Sequence, residues 1–283
     1  MVGRAYCIIG EVALSGSHLA FPRYPFPWQT VLRLVYAISR SQCRSFHQDA
    51  RSSVSSLHPP LRILGEELIP SSGSHLVTVN HYARPGFQAW WLALAVSSVI
   101  PAEIHWVITS AWTFPDRLRS RLLTPLTRWT FSRIAGVYGF TNMPPMPPQP
   151  DELEDRARAV RRVLAYARRA PSPWIGLAPE GRDAPGGVLQ WPLPGTGRFM
   201  LQLANLGLAI LPAGIYEAGG CLCLRFGQSY RLEVPAELNP RDRDVLAAEI
   251  VMRKIALLLP DVYHGVYIQP MIVPSTTLEK HDS

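Results

Sequence analysis

The spacing of hydrophobic positions changes several times along the chain, and each change predicts an element. From Trp28 to about Arg44, the residues Trp28, Val31, Leu32, Val35 and Ile38 share one helical face, with Arg33, Arg40 and Arg44 offset from it. Such a helix either packs on the domain or rests its apolar face at a membrane interface. After a polar stretch, LRILG (61–65) and HLVTVN (75–80) read as short strands separated by a loop. FQAWWLALAVSSVI is apolar on every side and predicts a largely buried helix, followed by a strand in IHWVITS (104–110).

The Arg-rich segment from Asp116 to Ala135 predicts a helix broken at Pro125, then a short strand in GVYGF (136–140) and a stiff connector in MPPMPPQP (143–150). Asp151 to Ala170 carries the clearest helical stripe, made of Leu153, Ala157, Val160, Val163, Leu164 and Ala167. Acids crowd its start and Arg168 and Arg169 its end, as the helix dipole favours. WIGLA (174–178), AILPAGIY (209–216), CLCLRF (221–226) and SYRLEV (229–234) are strand candidates, and Asp242 to Leu258 predicts a last helix. Strands alternating with helices argue for an α/β domain, and no internal repeat is visible. The boundaries expected are an N-terminal segment at 1–55 with its amphipathic helix, one α/β domain at 56–260, and a tail at 261–283.

Composition narrows the partners. The 283 residues are 47% hydrophobic, enough for a sizeable core. Cys7, Cys43, Cys221 and Cys223 are too few and scattered for a disulfide framework. Cys221 and Cys223 would share one strand face, where core packing is the expected role. With a reducing compartment as the default, the expected location is cytoplasmic. The net charge is +7, and Lys254 and Lys280 are the only lysines. A basic surface suits nucleic acid, anionic lipid headgroups or an acidic carrier protein. No zinc-finger spacing or aromatic RNA-binding signature supports nucleic acid. The longest apolar stretch ends at Pro101, short of the roughly 20 residues a spanning helix needs. Glu11 interrupts the only N-terminal apolar segment, so no secretory signal is read.

Two places could carry chemistry. Asn80-His81 ends a probable strand, and APEGRD (178–183) follows another. Strand ends in an α/β sheet deliver polar residues to a crevice. A neutral imidazole there could take a proton from a hydroxyl group, since its ordinary pKa is about 6.5. Arg182 and the backbone amides around Gly181 could hold an anionic oxygen, and Glu180 could anchor the loop or bind a hydroxyl. Nucleophile-elbow, H-E-x-x-H and Walker patterns are absent.

Taken together, LRILGEELIPSSGSHLVTVNH, LAPEGRD and AILPAGIY resemble, in order and spacing, the active-site segments of the glycerolipid acyltransferase family, which includes lysophosphatidic acid and glycerol-phosphate acyltransferases. The resemblance covers roughly residues 60–216. It implies a single acyltransferase-like domain with a mixed sheet flanked by helices. It also implies direct acyl transfer from acyl-CoA or acyl-carrier protein to a lipid-like hydroxyl at the cytoplasmic membrane surface, in phospholipid or other lipid biosynthesis, with no metal or further cofactor. His81 would be the catalytic base. Asn80, Arg84, Pro179, Glu180, Gly181 and Arg182 would form the substrate-binding set.

The family pairs its histidine with an Asp five residues on, and this chain has Gly86 there. The family's second-motif Arg also has no counterpart in GVYGFTN (136–142). Asp183, facing His81 across the crevice, or Gln88 is the expected replacement partner for the imidazole. Arg84, three residues from His81, is expected to lower the histidine pKa or to bind an anionic group. The other outcome is a family member without turnover that binds lipid or acyl chains.

Overall fold

The computed structural model describes residues 21–114, 116–145, 150–183 and 185–268. A seven-stranded mixed sheet runs in the order β1 (Arg62–Leu64), β7 (Cys221–Phe226), β6 (Ala209–Ala218), β2 (His75–Val79), β5 (Trp174–Leu177), β3 (Ile104–Thr109) and β4 (Thr141–Met143). β6, β2, β5, β3 and β4 are mutually parallel, and β7 lies antiparallel on β6. β2 lies between β5 and β6 and is buried along its whole length. That explains its unbroken apolar run, because a parallel strand covered on both faces has no polar side to show.

Side-chain alternation sorts the core into two layers. Leu76, Ile175 and Ile210 point to the face covered by α5 (Leu153–Arg169), α6 (Thr196–Asn205) and α7 (Pro240–Ala256). Val77, Val79, Leu211, Ala213 and Ile215 point to the opposite face, under α2 (Phe46–Val54) and α3 (Trp90–Val99). Two glycines permit close approaches inside the core. A Cβ at Gly176 of β5 would sit 2.4 Å from the Trp106 ring, and one at Gly197 would sit 1.9 Å from the Asp244 carbonyl oxygen, where α6 meets α7. α7 starts as its sequence dictates, with Asn239 capping the amides of Arg241 and Asp242 and Pro240 in the first turn.

The expected α/β class and mixed sheet stand, and several boundaries move. The first helix, α1 (Trp28–Arg40), stops at Ser41, and the polar stretch after it forms α2, capped by Ser45 through the Gln48 amide. The Arg-rich helix α4 (Arg117–Tyr138) continues through Pro125 instead of breaking. Pro125 lies on the exposed side, where water can satisfy the freed carbonyl. The strand expected in GVYGF lies one step later: α4 runs to Tyr138, Gly139 takes φ +71°, and β4 begins at Thr141. SYRLEV is not a strand, because only Tyr230 bridges to Ile210. Antiparallel through that bridge, residues 231–234 fall opposite 209–206, where the chain has only just left α6 and β6 is beginning. The helix α6 lies in a Gly- and Pro-bounded stretch for which the sequence predicts no element. Residues 146–149 of the MPPMPPQP connector and residues 269–283 of the tail lie outside the described residues. The described start of the tail packs in: Tyr267 is buried in the layer under α5, α6 and α7.

Candidate active site

Parallel pairing of β2 with β5 sets the site, because their C-terminal ends emerge side by side. His81 leaves β2 two residues after Val79, and the Ala178–Asp183 loop leaves β5. Crevices at the carboxyl edge of such strands are where α/β folds place ligands.

The main chain around His81 is fixed on three sides. Asn80 is buried, and its side-chain amide bonds both ways with Ile215 of β6, donating to the carbonyl at 2.8 Å and accepting from the N–H at 2.7 Å. Its amide, expected among the substrate-binding groups, here holds β2 to β6. Glu180 is fully buried and accepts the His81 N–H at 2.7 Å and the Gln190 N–H at 2.7 Å. It anchors the loop, one of the two roles expected of it, and the buried carboxylate is not available to a substrate hydroxyl. Burial pushes its pKa up to about 7, although the two N–H donors and Arg182 pull the other way.

The third clamp is Glu217, at the end of β6. Its carboxylate is 4% exposed and accepts from Arg84 Nε, from Arg84 Nη2 at 2.6 Å, from the Tyr24 hydroxyl at 2.6 Å and from the Tyr82 hydroxyl at 2.8 Å. Burial pushes Glu217 up, but Arg84 and the two tyrosines outweigh it and hold the carboxyl below its ordinary value. Arg84, expected to bind an anionic group, is here paired with Glu217 in an internal fork, and the Phe21 ring lies over its guanidinium at 4.0 Å. Sequence reasoning missed Glu217, Tyr82 and Tyr24. The available signal is that Glu217 is the one acid in the apolar run AILPAGIYEA.

The ring of His81 is held less firmly. Asp183 reaches the crevice as expected, with its Oδ1 3.3 Å from His81 Nδ1. Nδ1 is buried, yet the contact lacks hydrogen-bond geometry, and the Asp183 side chain is 76% exposed. Burial lowers the His81 pKa, opposed by the Asp183 charge. The expected effect of Arg84 on that pKa is absent from its causes, since Glu217 neutralises the guanidinium. Gln88 is exposed, and the structure shows no hydrogen bond from it to His81. Gly86 has φ +82°, a conformation hostile to L side chains, so this position offers no carboxylate and its backbone suits glycine.

Of the remaining predicted residues, Pro179 is buried and shapes the turn, and the Gly181 N–H donates to the Ala178 carbonyl at 3.1 Å. That amide is not free to hold an oxyanion. Arg182 is exposed at the mouth, with only a 3.4 Å bond to the Trp191 carbonyl. It is the exposed cation of the expected set. Among the described residues no cluster of three His, Cys, Asp or Glu could hold a metal.

No family model matches the chain, and no curated protein matches it. Among solved structures it is similar to the 1-acyl-sn-glycerophosphate (LPA) acyltransferase PlsC from Thermotoga maritima, at 15% identity, with 82% of this chain and 86% of that chain covered and a TM-score of 0.44. A likeness that distant carries no functional weight, and the chemistry of the site has to supply it.

Proposed function

We propose that the protein is an acyltransferase that moves a fatty acyl group from acyl-CoA or acyl-carrier protein to a hydroxyl of a lysophospholipid, glycerol-phosphate or other lipid-like acceptor. The observation that supports this most is an imidazole at the crevice whose pKa burial lowers, with the Asp183 carboxylate 3.3 Å from Nδ1 and the His81 backbone N–H anchored by Glu180. Nε2 makes no hydrogen bond among the described residues, and it would take the acceptor's proton as the oxygen attacks the thioester carbonyl. The C–S bond then breaks, and the imidazolium returns its proton to the departing thiolate. Asp183 would stabilise the imidazolium, and Arg182 would meet an acidic headgroup. The reaction would run on the cytoplasmic side, at a membrane surface. No helix among the described residues is long and apolar enough to cross a membrane.

The misaligned Nδ1 contact favours a second reading, in which the fold binds acyl lipid without turnover. Incubation with each donor and a panel of phosphorylated and neutral hydroxyl lipids, read by mass spectrometry, separates the two. Ester formation that His81→Ala abolishes supports the transferase. Ester that survives the substitution removes the mechanism, and tight lipid binding without ester supports the second reading.

A further inference from the structure

Trp191 lies in the loop that leads from Asp183 to α6, and its side chain is 43% exposed. A single exposed apolar side chain needs no explanation by itself; what sets Trp191 apart is how firmly it is held. The Gln190 N–H donates to Glu180 Oε1 at 2.7 Å, the Leu189 N–H to the Tyr263 carbonyl at 2.9 Å, and the Gln190 side chain to the Val188 carbonyl at 3.1 Å. Gly265 takes φ +54°, and a Cβ there would sit 2.4 Å from the Leu189 carbonyl oxygen, so the C-terminal segment is pressed against the loop. Pro192 confines the Trp191 backbone to extended geometry. The Trp191 ring packs on buried Tyr267, with centroids 5.1 Å apart.

Two contacts set this indole beside the chemistry. Glu180 accepts the His81 N–H on Oε2 and the Gln190 N–H on Oε1, so only one carboxylate and two hydrogen bonds separate the two backbones. Arg182 Nη2 donates to the Trp191 carbonyl at 3.4 Å, which brings the exposed cation of the crevice mouth to the same corner. That corner presents a guanidinium, an apolar ring and an indole N–H that makes no hydrogen bond among the described residues. Val266 and Ile268, on either side of Tyr267 in the chain, are exposed too, so apolar surface continues on the segment that Trp191 packs against.

We propose that Trp191 determines specificity by selecting an acceptor that already carries a hydrocarbon chain beside an anionic group, as a lysophospholipid does and glycerol-phosphate does not. The first carbons of that chain lie on the indole, Arg182 meets the anion, and His81 receives the hydroxyl proton. In such an acceptor the hydroxyl, the anion and the chain are carried on one glycerol, which matches three protein groups gathered around Glu180. Acyl-CoA fits the corner poorly, because its phosphates and adenine lie a full pantetheine arm from its acyl chain. A ring already held in place loses little freedom when the chain lands on it, so the contact contributes to affinity. The inference rests on the acyltransferase reading proposed above, and it is separable from it because binding is read without turnover.

The test uses glycerol-phosphate and a series of monomeric lysophosphatidates of increasing chain length, with calorimetry for Kd and product mass spectrometry for KM and kcat. Affinity of the parent should rise with chain length. Trp191→Ala is expected to flatten that rise, weakening the longest acceptor about tenfold, leaving glycerol-phosphate within about twofold and kcat unchanged. Trp191→Phe keeps an apolar ring and should recover most of the loss. A merely structural role would weaken every acceptor alike, so an equal shift across the series overturns the proposal. No shift, a shift that follows the length of the donor chain instead, or a parent whose affinity ignores acceptor length overturns it too. Chain-dependent binding that Trp191→Ala weakens, with no ester formed, supports the Trp191 contact and removes the transferase reading. Ester formation with unshifted constants in Trp191→Ala does the reverse.

Discussion

The backbone that carries His81 and the ring of His81 are held in opposite ways. Around the backbone, Asn80, Glu180 and Glu217 are buried, and each makes short bonds to a neighbouring strand or loop. Around the ring there is one carboxylate, on a loop, mostly in water and imperfectly aligned. Burial makes the first set strong, because an unmet buried charge or amide is costly. Exposure makes the second weak, because solvent-screened ion pairs contribute little. The chain thus positions its candidate base precisely at Cα and leaves orientation of the imidazole to a contact that substrate binding could tighten.

The largest expected effect is at the ring itself: His81→Ala should lower ester formation by about a hundredfold or more, measured by mass spectrometry of the product. Next comes the buried hub. Glu217→Ala leaves Arg84 buried without its partner and should cost about 3–5 kcal/mol in urea unfolding. If it costs under about 1 kcal/mol, the contrast between backbone and ring fails.

A pH series isolates Glu180. Its folded pKa, about 7, lies above the ordinary 4.5, so the folded protein keeps a proton that the unfolded chain gives up. That stabilisation is present below pH 4.5 and is lost as the pH rises toward 7, a change of about 3 kcal/mol. His81 and His105 act in the opposite sense: burial lowers both, so they remove stability as the pH falls below 6.5. Only the difference between the parent and Glu180→Gln reports the carboxylate, and urea midpoints from pH 4.5 to 8 should show the variant losing that slope.

The two smallest effects concern the carboxylates that could face the ring. Gly86→Asp should destabilise by about 1 kcal/mol, because the φ of +82° disfavours a side chain, and should not raise activity. Asp183→Asn should lower the rate by no more than about fivefold, as an exposed ion pair permits. A loss near the ten-thousandfold seen for an orienting Asp in a serine-protease triad would show that the ring is held as firmly as the backbone.

Local sequence carried the strands well. HLVTV and WIGL are short apolar runs with turn residues on both sides, and no helix would bury them as completely. It failed where tertiary contacts override local signals. Pro125 interrupts a pattern but not an exposed helix, and α6 hides among glycines that are needed because α7 approaches closely at Gly197. On α1 the apolar residues encircle the helix: Val31, Leu34, Ala37 and Ile38 turn inward while Trp28, Leu32, Val35 and Tyr36 turn out. No period could tell which half would be covered.

By itself, then, the sequence determined the α/β alternation, the delivery of His81 and the 178–183 loop to strand ends, and a glycine, not an acid, at position 86. Those follow from residue type and near-neighbour spacing. Only the tertiary structure decided that Arg84 belongs to Glu217, 133 residues away, that Asn80 belongs to Ile215, and that Asp183 stands 3.3 Å from the imidazole. Each of those pairings is set by strand order in the sheet, which brings β6 and β5 to either side of β2, and no local pattern encodes that order.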